Sequence, residues 1–131
     1  MSIRAHVMGS GVAAGAASAI VGGVNSASVG AGTDHTNFTL LPLSSIHWIK
    51  TAANNSGVGL PPGNGSGDGM GPGDYCTIYN GDSNTLLLYP PAGGNLNGGT
   101  ATTGTVSIPT KTSVQAISLD GVTFIVSGPT T

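Results

Sequence analysis

The chain contains no glutamate and only eight charged side chains: Arg4, Lys50 and Lys111 against Asp34, Asp68, Asp74, Asp82 and Asp120. Helix surfaces are ordinarily filled with Glu, Lys, Arg and Gln, so this shortage argues against solvated helices and for an all-β fold. Three basic residues and a net charge of -2 give no electrostatic footprint for a phosphate backbone, which excludes nucleic acid as a partner. The single cysteine, Cys76, has no intrachain disulfide partner and reads as a small apolar strand residue. No apolar run approaches the ~20 residues a membrane-spanning helix needs. Residues 9–19, GSGVAAGAASA, are too rich in Gly and Ser to serve as the apolar part of a signal peptide, so no membrane partner is expected.

What is present is 23 glycines among Thr, Ser, Asn and Val, in a 131-residue chain of single-domain length. With so little charge there is little colloidal repulsion, and such a composition suits a subunit whose apolar surface is covered by neighbours. Residues 12–32 have no large side chain except Ile20 and cannot bury enough area to offset their own ordering entropy. Residues 1–32 are therefore expected to form an extended N-terminal arm, ahead of a β-rich body at residues 33–131 built as a small sandwich or barrel-like unit. Within the arm, Ile3, Ala5 and Val7 alternate with Arg4, His6 and Met8, the pattern of a strand with one apolar face.

In the body, strands are expected at residues 37–43 and 45–51, with Trp48 as an anchor for the core or a subunit contact. Residues 52–73 read as a long turn-rich loop. A hairpin is then expected, with strands 75–79 and 85–89 joined by the five-residue turn NGDSN and stopped by Pro90-Pro91. The run Leu86-Leu87-Leu88 breaks strict alternation, which implies that both faces of its strand are covered. A short strand at 105–108 follows. Residues 113–119 and 122–127 then pair across Asp120-Gly121, the strongest short-range hairpin signal in the chain, with Val122, Phe124 and Val126 on one face.

Gly57-Val58-Gly59-Leu60-Pro61, Gly73-Asp74, Tyr79-Asn80, Leu86-Leu87-Leu88-Tyr89-Pro90, Gly93, Asn95-Leu96-Asn97-Gly98 and Phe124 occur in the order of a small β module. In that order the chain resembles virion structural proteins of tailed phages, over about residues 57–127. Residues 62–72, PGNGSGDGMGP, stand as an insertion in that pattern, and the final strand lacks the Trp that often ends it. The resemblance implies a capsid decoration (cement) protein, or else a head-fibre or tail-associated adaptor, located on the outer capsid surface of the virion.

The expected partners are the major capsid protein, engaged by the arm through Ile3, Ala5 and Val7 as an added strand, and further copies of the chain in a homotrimer. Trp48, Leu86, Leu87, Leu88 and Phe124 are the candidate interface or core anchors. A glycan-binding module, with Tyr79, Tyr89 or Trp48 stacking on sugar rings, is the alternative from a different class.

Chemistry is not expected. Asp34-His35 is the one adjacent carboxylate–imidazole pair, and no strand–turn–helix nucleophile motif accompanies it. Cys76, His6, His35 and His47 do not lie at ligand-like spacings, and the glycine-rich loop holding Asp68 and Asp74 lacks the ligand pattern of a calcium loop. No catalytic residue, metal or cofactor is assigned.

Overall fold

The computed structural model describes residues 24–25, 29–30, 32, 36–42, 46–51, 53–61 and 69–129. Among these there is no helix, and the strands are β1 (Val24–Asn25), β2 (Val29–Gly30), β3 (Thr39–Leu40), β4 (Ile46–Thr51), β5 (Ser56–Gly59), β6 (Tyr75–Asn80), β7 (Leu86–Tyr89), β8 (Asn95–Leu96), β9 (Val106–Ile108), β10 (Ser113–Ser118) and β11 (Thr123–Ser127). They form two mixed sheets, and neither closes into a barrel. The larger runs β1-β4-β6-β10-β11-β8, with β2 also on β4, and the smaller runs β3-β5-β7-β9.

Alternation makes each sheet two-sided. In β6, Cys76, Ile78 and Asn80 are buried while Tyr75, Thr77 and Tyr79 are not, and β10 and β11 bury Val114, Ala116, Ser118, Phe124 and Val126 in the same way. From the smaller sheet, Val58, Leu86, Leu88 and Ile108 complete one continuous core, joined by Leu41, Leu60, Met70 and Leu96. Burying a residue such as Leu86 or Phe124 contributes about 1.5–3 kcal/mol.

The path of the chain is a coil. From β4 to β7 successive strands fall in alternate sheets, and each pairs in parallel with the strand two before it. Val29 lies opposite Lys50, Thr39 opposite Val58, Ile46 opposite Thr77 and Ser56 opposite Leu86. The last strands close the coil in antiparallel fashion, β9 on β7, β10 on β6 and β11 on β10.

This winding corrects one expectation. Residues 75–79 and 85–89 do form strands, but they belong to different sheets and do not pair as a hairpin. The reason lies at Asn80, which is wholly buried. Its side-chain amide donates to the carbonyls of Asn84 at 2.7 Å and Ile108 at 3.0 Å, and its Oδ1 accepts the Asp82 N–H at 3.2 Å. The turn is thereby carried across to the other sheet instead of back along the same one. The hairpin across Asp120-Gly121 forms as read, with Gly121 at φ 84° and the Asp120 carboxylate accepting the N–H groups of Val122 and Thr123. Val122 precedes that strand and is exposed, while Phe124 and Val126 face the core.

A second correction concerns residues 52–73, which contain β5, an interior strand of the smaller sheet. Its sequence, Ser-Gly-Val-Gly, has little strand propensity, because two of its four residues bring no side chain. Those glycines face outward, where the rings of Phe38 and Tyr89 occupy the space a Cβ would need. Glycine here lets aromatic rings lie directly on the sheet.

Candidate interaction surfaces

The outer face of the larger sheet is set by the register of β4, β6, β10 and β11. Three rows run across it: Tyr75, Ile117 and Ile125; Ile46, Thr77, Gln115 and Ser127; and Trp48, Tyr79 and Ser113. Tyr75 is 61% exposed and Trp48 46%. Lys50, at the end of β4, is the one charged side chain on these strands' outer face, and its ammonium stands 5.9 Å from the centre of the Trp48 ring. The indole edge of Trp48 lies against Gly81, in the space a Cβ there would fill, and the Gly81 N–H donates to the Ile49 carbonyl at 2.8 Å.

The outer face of the smaller sheet is different. Gly57 and Gly59 are overlaid by Phe38 and Tyr89, whose rings stack with centroids 5.2 Å apart and planes 18° apart. Leu40 and Leu87 flank that stack, Leu40 exposed and Leu87 half-buried, and Ser107 sits beside Leu87. No charged residue occurs on the described strands of this face.

The residues singled out from the sequence separate cleanly. Leu86, Leu88 and Phe124 are wholly buried core residues, whereas Leu87 and Trp48 lie on outer faces. Tyr79 is on the larger sheet's outer face, directly across from Trp48. Tyr89 is only 4% exposed beneath Phe38, so its use as a sugar-stacking platform is corrected: its ring already has a partner. Ile3, Ala5 and Val7 lie outside the described residues. Of the stretch expected as an arm, Val24–Asn25 and Val29–Gly30 pair with β4 of the body. Nothing local in the sequence marks Tyr75, Gln115 or Leu40 as surface features; strand alternation places Tyr75 and Gln115 outward once the register is known.

Asp34 and His35 lie outside the described residues, and His47 is buried. Among the described residues no three His, Cys, Asp or Glu side chains come together as metal ligands. Burial pushes the Cys76 thiol up to about 12, which leaves it uncharged and a poor nucleophile. The Asp120 carboxyl is held below its ordinary value by the backbone N–H groups of Thr123 and then Val122, a turn-forming role.

The edges also differ. Beyond β11 the larger sheet is bounded by β8, after which the Asn97 side chain continues the pairing: its Nδ2 donates to the Val126 carbonyl at 3.1 Å and its Oδ1 accepts the Val126 N–H at 2.8 Å. Among the described residues, the opposite boundaries of the two sheets are the strands of the first turn of the coil, β1 and β2 in one and β3 in the other. No protein-family model, curated protein or solved structure matches the chain.

Proposed function

We propose that the protein is a non-enzymatic structural component of a phage virion that decorates and stabilises the outer capsid surface. Residues 2–8 of the N-terminal arm, with Ile3, Ala5 and Val7 on one face, add a strand to the major capsid protein. The body meets neighbouring subunits through apolar β surface, as a homotrimer. The observation that carries this reading is the uncharged outer face of the smaller sheet. There Leu40, 56% exposed, Leu87 and the Phe38 ring form a patch that a low-charge chain keeps in solution poorly. Charge contributes little to such contacts, and burial of this patch supplies the attraction.

The test is a cryo-electron microscopy map of particles carrying the protein, combined with an Ile3→Asp, Val7→Asp variant. The expected result is density on the outer shell with threefold symmetry, and a variant that folds yet fails to bind shells. Normal shell binding by the variant overturns the arm, and density confined to the tail turns the assignment to the tail-associated alternative. A monomer by light scattering at capsid-binding concentration removes the trimer.

A further inference from the structure

The outer face of the larger sheet is not a uniform apolar surface. Its middle row, Thr77, Gln115 and Ser127 with Ile46 at the end, consists mostly of uncharged hydrogen-bonding groups. The rows on either side carry the aromatic rings, Tyr75 in one and the cross-strand pair Trp48 and Tyr79 in the other. Tyr75 and Tyr79 are four residues apart on one strand, so the flanking rows stand about 13 Å apart at ~3.3 Å per residue.

This arrangement decides among ligand classes. A polyanion would need clustered cations, and the strands' outer face has Lys50 alone; a cation would need carboxylates, and they carry none. A second dry sheet packed face to face would bury the Thr77 and Ser127 hydroxyls and the Gln115 amide against side chains, leaving them desolvated and unpaired. A neutral sugar chain meets both requirements. Its C–H faces lie on aromatic rings, and its hydroxyls exchange hydrogen bonds with amide and hydroxyl side chains that fix its orientation.

The Trp48 ring also lies with one edge on Gly81, which has no Cβ to displace it.

We infer that the outer face of the larger sheet binds a neutral oligosaccharide, with Trp48, Tyr79 and Tyr75 as stacking platforms and Thr77, Gln115 and Ser127 as hydrogen-bonding partners. The flanking rows are far enough apart to engage several sugar units, so oligosaccharides bind better than single sugars. The inference rests on this face alone and not on the capsid assignment, which concerns the arm and the smaller sheet.

The experiment is an array of neutral tri- to hexasaccharides, with sulfated and sialylated chains included, followed by calorimetry on the strongest neutral ligand. The full chain is used, alongside Trp48→Ala, Tyr79→Ala, Gln115→Ala and, beside β9 of the other sheet, Thr105→Ala at an exposed position. Binding to at least one neutral oligosaccharide is expected, weakened about tenfold or more by each aromatic change and unaffected by Thr105→Ala. The substituted side chains lie on the surface, and each variant's thermal midpoint verifies its fold. Silence across the array overturns the inference, as does binding confined to sulfated or sialylated chains or binding that survives Trp48→Ala and Tyr79→Ala together. Self-association that is lost in Trp48→Ala also overturns it, because the face is then covered by a second copy.

Discussion

The rings of Phe38 and Tyr89 stack 5.2 Å apart over a strand that offers them no side chains, and Gly59 lies directly under Phe38. A methyl group at Gly59 has to displace that ring. Gly59→Ala should therefore destabilise the fold by about 1–3 kcal/mol, although Ala is otherwise the better strand residue. In a Phe38→Ala background the same change should cost close to nothing. Urea unfolding of the double-mutant cycle measures this; an equal cost in both backgrounds would show that Phe38 is not what the glycine accommodates.

Asn80 directs the crossing between sheets. Asn80→Ala removes both donated bonds and leaves the Ile108 carbonyl buried without that partner, and the loss should be about 2–4 kcal/mol. Faster exchange of the Asp82 amide hydrogen should accompany it, since that N–H loses its acceptor. A loss below about 0.5 kcal/mol would mean that strand pairing alone carries the chain across.

The three consecutive leucines should part company on substitution. Leu86→Ala and Leu88→Ala open cavities in the core and should each cost about 2–5 kcal/mol. Leu87→Ala, on the outer face, should cost about 1 kcal/mol or less while weakening self-association. Denaturant midpoints together with sedimentation velocity separate the two effects.

Cys76 should resist thiol reagents in the folded protein near pH 8 and react fully once the chain is unfolded, because burial holds it neutral. The pH dependence has a definite sign. The folded value, about 12, lies above the ordinary 9.0, so the native state retains a proton that the unfolded state gives up. The contribution of this thiol is complete below pH 9.0 and is lost as pH rises towards about 12. Cys76→Ala should flatten that alkaline decline, and an unchanged slope would assign it to other groups.

The all-β class and several strands were legible because their signals are local. Alternation marked β6, and Asp120-Gly121 marked the β10–β11 hairpin. The misreadings have a common origin in pairing at a distance. NGDSN is a sound hairpin turn by length and composition, but a buried Asn80 bonded to Ile108 depends on a strand far along the chain. β5 has no local signature because its glycines are explained by Phe38 and Tyr89, neither of them a sequence neighbour. Trp48 illustrates the same limit: its type indicated an anchor, while the face it occupies follows only from the register with Tyr79. The two glycine-bounded rings and the three-row face were therefore visible as residues, but not as surfaces.

The coil bears on the order in which the protein is made. Each strand from β4 to β7 finds its parallel partner upstream, so every turn can settle on one that has already left the ribosome. Only the antiparallel strands at the end lock the stack, with β9 closing on β7 and β10 on β6. A nascent chain stalled after β7 should thus hold a wound but unlatched body, and the last forty or so residues act as the clasp that makes it permanent.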